Sequence, residues 1–126
     1  MEMIKTPIEG TLVKIVLGAE CDPETQTCRG SIELDIETQQ QFIEHLDTLF
    51  EEGAFRVIVD MSLVSYIDSS GLWALFEGHK KATHKNGALV LFNTTKDVRR
   101  VLDITKMSSK IQIFNHEQDA IANLSQ

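Results

Sequence analysis

Short apolar runs alternate with amphipathic helical patterns along this sequence. The run FRVIVDM at 55–61 is apolar almost throughout, which is typical of a strand buried on both faces of a sheet. Apolar residues recur at helical spacing between 71 and 85, and ALVLFN at 88–93 is the next apolar run. A strand, a helix and a second strand in this order predict a crossover unit with two parallel strands.

The rest of the chain extends this pattern into one α/β domain, with no linker or composition change across residues 1–126. The predicted order β-β-α-β-α-β-α-β-α gives a mostly parallel or mixed sheet of about five strands flanked by about four helices. The predicted strands are 10–18, 31–35, 55–61, 88–93 and 110–114. The predicted helices are 37–52, 71–85, 95–104 and 117–124. Thr94 or Thr95 is the expected N-cap of the third helix.

The first 30 residues form an atypical hairpin region in this prediction. Strands 10–18 and 31–35 are candidates for a hairpin, although their connection is longer than usual. Cys21 and Cys28 flank DPETQT in this connection, at a spacing that allows a disulfide. Free thiols are expected instead, because the chain is expected to be cytoplasmic. Two cysteines without a second pair are weak evidence for zinc, so no metal is predicted.

Composition and charge limit the location and the partners. The chain has 126 residues, of which 42% are hydrophobic, and a formal net charge of −7. No apolar run approaches the ~20 residues that span a bilayer, and the N-terminus does not resemble a signal peptide. We therefore expect a cytoplasmic protein without direct membrane insertion. The negative charge disfavours nucleic acid, and the basic stretch HKKATHK at 79–85 is typical of a solvated helix face.

The junction SYIDSSGLWALF, at 65–76, joins a predicted strand to a predicted helix. Asp68, Ser69 and Ser70 all supply side-chain oxygens, whereas one N-cap needs only one. Gly71 lies in the first helical turn, where glycine is unfavourable, and its missing side chain leaves room for a phosphate or a partner's backbone. The junction is therefore either a plain helix cap or an exposed serine site.

The sequence does not predict a stand-alone enzyme. A serine nucleophile needs a base and an oxyanion hole, and the chain has no G-x-S-x-G motif and no Walker-type loop. The histidines are scattered over predicted helix faces and a loop; they are His45, His79, His84 and His116. His79 belongs to a predicted buried stripe that also contains Leu72, Leu75 and Phe76. A phosphate acceptor needs only an exposed hydroxyl, and a helix N-terminus tolerates the added negative charge.

The stretch VIVDMSLVSYIDSSGLWAL, at 57–75, resembles the STAS domain of bacterial anti-sigma factor antagonists. Weaker matches are ELDIETQQQFIEHL at 33–46, NGALVLFN at 86–93 and VRRVLDITKMSSKIQIF at 98–114. The resemblance covers roughly residues 30–124. It implies a STAS-like fold and a regulatory protein with no catalytic activity and no cofactor of its own.

The resemblance also implies a mechanism. A serine kinase that is also an anti-sigma factor would phosphorylate Ser69, with Ser70 as the alternative acceptor, and a metal-dependent serine phosphatase would reverse the reaction. The unphosphorylated form would bind the kinase and release the sigma factor. The residues expected to contact the kinase are Asp35, Asp68, Ser69, Ser70, Gly71 and Trp73. Asp60 also matches a family position.

Two positions depart from the family pattern. Trp73 replaces the usual small residue and is either half-buried packing or a partner-facing anchor, and Ile32 replaces a usual glycine.

Two other functions remain open for this fold. One is a STAS module without a switch, such as a stressosome-like scaffold or a lipid-transport subunit. The other is a sensor of a small ligand or nucleotide.

Overall fold

The computed structural model describes residues 1–125, and Gln126, the last residue of the predicted domain, lies outside the described residues. The strands are β1 Glu2–Glu9, β2 Leu12–Gly18, β3 Glu20–Asp22, β4 Thr27–Arg29, β5 Ile32–Leu34, β6 Arg56–Asp60, β7 Val64–Ile67, β8 Ala88–Phe92 and β9 Ile113–Phe114. The helices are α1 Gln39–Glu51, α2 Ser69–His84, α3 Lys96–Ile104 and α4 Glu117–Leu124, with a 3₁₀ helix at Met107–Ser109. Among residues 1–125, no helix has the length and apolar character needed to cross a membrane.

Five strands form the central sheet in the order β1-β2-β6-β8-β9. Strands β2, β6, β8 and β9 are parallel, and β1 is antiparallel to β2. The α/β class, the mixed sheet of five strands and the four helices confirm the prediction for the described part of the chain. Strands β2, β6 and β8 end at Gly18, Asp60 and Phe92, and we call this side of the sheet the carboxyl edge.

The predicted pairing of the first two strands is wrong. Residues 2–9, for which no strand was predicted, form β1 and pair with β2, whereas β5 pairs in parallel with β7 in a separate two-stranded sheet. Pro7 makes residues 2–9 a poor strand by composition. Proline is nevertheless accepted at a sheet edge, and the β1–β2 register shifts between Pro7 and Glu9.

The expectation of free thiols at Cys21 and Cys28 is also contradicted. Residues 20–29 form a hairpin of β3 and β4, in which Cys21 lies directly opposite Cys28. Their Cα atoms are 4.0 Å apart and a disulfide joins them. The expected location favoured thiols, but the hairpin register brings the two side chains together.

The sheet separates two apolar cores. Val57 and Val59 of β6 face the larger core, which α1, α2 and α3 cover, while Ile58 faces a smaller core against α4. This arrangement confirms that the apolar run at 55–61 is buried on both faces. Thr95 caps α3 through its side-chain oxygen, which accepts a hydrogen bond from Val98 N at 3.3 Å.

The buried face of α2 is rotated from its predicted position. Of the predicted stripe, Leu75 is fully buried, whereas Leu72, Phe76 and His79 are only partly buried. The other residues of the buried face are small; they are Gly71, Ala74, Gly78 and Ala82. A side chain on Gly78 would overlap Leu46 of α1, so the small residues let α2 pack closely against its neighbours.

Candidate functional site: the serine-bearing start of helix α2

Helix α2 begins directly after strand β7, and Asp68 is its N-cap. The backbone of Asp68 is extended, and its Oδ1 atom accepts hydrogen bonds from Ser70 N at 2.8 Å and Gly71 N at 3.0 Å. One carboxylate oxygen therefore satisfies two of the backbone donors that a helix start leaves unpaired. Of the three residues that the sequence offered as sources of a cap oxygen, Asp68 is the one that caps the helix.

Strand β5 braces this helix start. The backbone N–H of Asp68 donates to the carbonyl oxygen of Leu34 at 3.1 Å. A side chain on Gly71 would lie 2.7 Å from the carbonyl carbon of Leu34, and closer still to its oxygen. The room left by Gly71 is thus filled by the chain's own backbone, and the expectation that it admits another molecule is wrong. The predicted role of Gly71 in partner binding remains untested. Gly71 would contribute to it indirectly, by fixing the position of the start of α2.

The two serines differ in exposure. Ser69, the first residue of α2, is exposed, whereas Ser70 is partly buried. An incoming enzyme therefore has freer access to Ser69. Because Ser69 lies at the positive end of the helix dipole, negative charge on its side chain is favoured there.

Large apolar side chains are exposed around this helix start. Trp73, one turn after Ser69, is 50% exposed, which excludes a core position. Tyr66 of β7 is 51% exposed, and Ile36, in the loop after β5, is 67% exposed. The pairing of β5 with β7 brings these two segments to the same side of the molecule. We call Ile36, Tyr66 and Trp73 the apolar triad.

Sequence reasoning found Trp73 but missed Tyr66 and Ile36. Strand alternation gave no reliable signal for Tyr66, because Ser65 and Tyr66 are both exposed between the buried residues Val64 and Ile67. Ile36 directly follows the acidic turn residue Asp35, and this position was the available signal for an exposed loop.

The side chain of Asp35 accepts hydrogen bonds from the backbone of the residues that follow it. Its Oδ1 atom accepts from Glu37 N at 2.9 Å and from Thr38 N at 3.1 Å, at the entrance to α1. Asp60 does the same at the end of β6, where its Oδ1 atom accepts from Ser62 N at 2.9 Å. Both aspartates therefore have the turn roles that are common at strand ends. Contact between Asp35 and a partner stays a prediction.

No histidine of α2 is placed to act as a base for Ser69. His79 is ten residues further along the helix, or about 15 Å along its axis. Its Nδ1 atom is buried and lacks a hydrogen-bond partner among the described residues. Among residues 1–125, no group of three His, Cys, Asp or Glu side chains could hold a metal ion.

A groove between α1 and α2 lies on the C-terminal half of α2, away from Ser69. It has a volume of about 420 Å³ and contains Phe50 among its lining residues. Two of its cations are paired, Lys81 with Asp47 at 2.9 Å and Lys80 with Glu77 at 3.0 Å. An anionic ligand would have to compete with these pairs, so the groove offers little support for a nucleotide sensor.

Comparison with known proteins assigns the family. The STAS domain family model matches residues 19–120. The chain belongs to the STAS domain family. Among curated STAS relatives, the anti-sigma-B factor antagonist of Staphylococcus epidermidis is 34% identical over 82 residues, which cover 64% of this chain and 75% of that protein. The anti-sigma-B factor antagonist of Listeria monocytogenes is 30% identical over 91 residues, which cover 72% of this chain and 80% of that protein.

A solved structure agrees on the fold. The Bacillus cell fate determinant SpoIIAA, in its phosphorylated form, superimposes with a TM-score of 0.64 at 19% identity, covering 97% of this chain and 98% of that one. These matches confirm the resemblance to anti-sigma factor antagonists that residues 57–75 carry.

Proposed function

We propose that this STAS protein is an anti-sigma factor antagonist that works as a phosphorylation-controlled partner switch. The unphosphorylated form binds a kinase-type anti-sigma factor, which then releases its sigma factor. Phosphorylation of Ser69 by that kinase ends the binding. The observation that carries the proposal is the exposed Ser69 hydroxyl at the first position of a helix whose start is already capped and braced.

The fold can accept a phosphate on Ser69. The side chain is exposed, so the phosphate stays hydrated and displaces nothing from the core. The amides of Ser70 and Gly71 keep their bonds to Asp68, so the helix cap does not depend on the modified residue. Phosphorylation therefore changes the surface by about −1.5 to −2 charges and leaves the interior unchanged.

The apolar triad supplies the docking surface in this proposal. Tryptophan and tyrosine are enriched among residues that dominate binding energy, and Trp73 and Tyr66 are both half exposed. A partner seated over these residues would also cover Ser69. A phosphate on Ser69 would then be a buried, unpaired charge, which is costly enough to prevent binding.

The remaining assignments follow from the same role. A metal-dependent serine phosphatase restores the unphosphorylated form, and the protein has no catalytic activity of its own. The pathway operates in the cytoplasm, where sigma factors act. A formal net charge of −7 is unfavourable for binding nucleic acid, so the protein acts through other proteins.

Binding measurements with the kinase-type anti-sigma factor of the same genome test this function. Ser69→Asp should abolish binding, because it places a charge at the centre of the docking surface, and Ser69→Ala should bind like the wild type. Gln118→Asp is the matched control, since it adds the same charge on the exposed side of α4, across the sheet. Equal binding by Ser69→Asp and the wild type would refute the switch.

A further inference from the structure

The hairpin of β3 and β4 lies at the edge of the domain, with one side against β1 and β2. The backbone N–H of Cys21 donates to a carboxylate oxygen of Glu2 at 2.6 Å. The hairpin's residues 20–29 are all exposed or partly buried, and each of its strands has three residues. Its ion pair joins Arg29 to Glu20 at 2.9 Å, but both side chains are mostly in solvent. Exposed ion pairs contribute little, and a two-stranded hairpin with few buried residues is marginally stable. The Cys21–Cys28 disulfide adds a covalent link between the two strands of this hairpin.

The disulfide is partly exposed to solvent. Side chains alternate along a strand, so Cys21 and Cys28 lie on the face of the hairpin opposite to Glu20, Asp22, Thr27 and Arg29. Their face is the one toward β2, where the Sγ atom of Cys28 lies 3.7 Å from the carbonyl oxygen of Val16. Both cysteines are nevertheless only partly buried, so a small thiol or disulfide reagent can approach from the solvent side, whereas a fully buried disulfide would be shielded.

The base of the hairpin is connected to the start of α2. Gly18, at the end of β2, has no side chain, and a Cβ atom there would lie 2.9 Å from the Cβ atom of Cys28 and 3.2 Å from Leu63. The hairpin closes where Ala19 N donates to the carbonyl oxygen of Gly30 at 3.1 Å. Four residues after Gly30, the carbonyl group of Leu34 contacts both Asp68 and Gly71.

We propose that Cys21 and Cys28 form a reversible thiol–disulfide site, whose redox state sets the order of the hairpin and, through β5, the rigidity of the helix start that carries Ser69. The oxidised form holds residues 20–29 as a hairpin at the carboxyl edge. The reduced form releases them as a mobile loop. The reagents are low-molecular-weight thiols and disulfides.

The exchange balances without another cofactor. On oxidation, one cysteine thiolate attacks a low-molecular-weight disulfide, forms a mixed disulfide and expels one thiolate. The second cysteine thiolate then attacks the protein sulfur of that mixed disulfide and expels the second thiolate. Two electrons pass from the protein to the reagent, and two low-molecular-weight thiols are formed. A dithiol reverses both steps and becomes a cyclic disulfide.

Hydrogen exchange measured by mass spectrometry tests the proposal on the full chain alone. The oxidised protein is compared with the same protein in excess dithiothreitol, and alkylation checks the thiol state. Reduction should speed exchange in peptides from 19–31 by about tenfold or more. Peptides that cover 32–34 and 68–71 should show a smaller increase, while β6 and β8 stay unchanged. The double variant Cys21→Ser, Cys28→Ser should show the exchange rates of the reduced protein, and dithiothreitol should not change them.

Three results would overturn the proposal. Thiols that alkylate fully in air-equilibrated protein would mean that the disulfide does not form. Unchanged exchange at 19–31 after reduction would mean that the hairpin does not need the bond. Faster exchange at 19–31 with no change at 32–34 and 68–71 would remove the link to Ser69. None of these measurements uses a kinase, so they are independent of the proposed function.

Discussion

The backbone N–H of Asp68 donates to the carbonyl oxygen of Leu34 at 3.1 Å, and this bond fixes the start of α2 to strand β5. Gly71 packs against the same carbonyl group from within the first turn of the helix. The exposed Ser69 therefore lies between two residues that cannot move freely. A phosphate acceptor on such a support is presented in a constant position to any enzyme that approaches it.

Gly71→Ala tests the brace. The new methyl group would overlap the Leu34 backbone, which cannot rotate away, so we expect the free energy of unfolding to fall by about 2 kcal/mol. Gly78→Ala is the matched control, because its methyl group meets the end of the Leu46 side chain, which can shift. Urea denaturation measures both variants. Equal losses at the two positions would contradict a special contact at Leu34.

Asp68→Ala tests the cap. Removing a side chain that accepts from two backbone amides should lower the free energy of unfolding by about 1 kcal/mol. The free energy of unfolding of Asp68→Asn should be close to that of the wild type, because the amide oxygen of asparagine can accept the same hydrogen bonds. Urea denaturation of the three proteins measures these differences, provided that the free energy of unfolding depends on urea concentration with the same slope in each protein. An Asn variant as unstable as the Ala variant would mean that the carboxylate charge, and not the cap geometry, stabilises the helix start.

Trp73→Ala tests the apolar triad. We expect affinity for the kinase-type anti-sigma factor to fall by about 30-fold, or about 2 kcal/mol, since tryptophan is frequent among dominant binding residues. The melting temperature should barely change, because the side chain is half exposed. Calorimetric binding and thermal denaturation measure the two effects. Gln118→Ala, on the opposite side of the sheet, is the control and should bind normally. A large drop in melting temperature would instead assign Trp73 to structural packing.

The local parts of the fold were predictable from the sequence. The strand within 55–61 and the two helix caps depend on residues close to one another in the chain, although the sequence narrowed the caps only to Asp68, Ser69 or Ser70 and to Thr94 or Thr95. The order of strands and helices then led to the parallel sheet, because a crossover connection has few alternatives.

The remaining features depend on partners that are distant in sequence. Residues 2–9 do not have a typical strand composition, and they form a strand by pairing with β2. The face of α2 was misplaced because its closest contacts use Gly71 and Gly78, which a search for large apolar residues passes over. Free thiols were expected from location alone, whereas the register of Cys21 with Cys28 appears only in the folded hairpin.

Site mapping after phosphorylation is the most direct test of the switch. The protein is incubated with the kinase-type anti-sigma factor of the same genome and ATP, and its peptides are sequenced by mass spectrometry. Our account predicts one phosphate, on Ser69, in the wild type and in Ser70→Ala, and none in Ser69→Ala. Phosphate found on Ser70 alone, or on neither serine while the kinase modifies a known substrate, would contradict it.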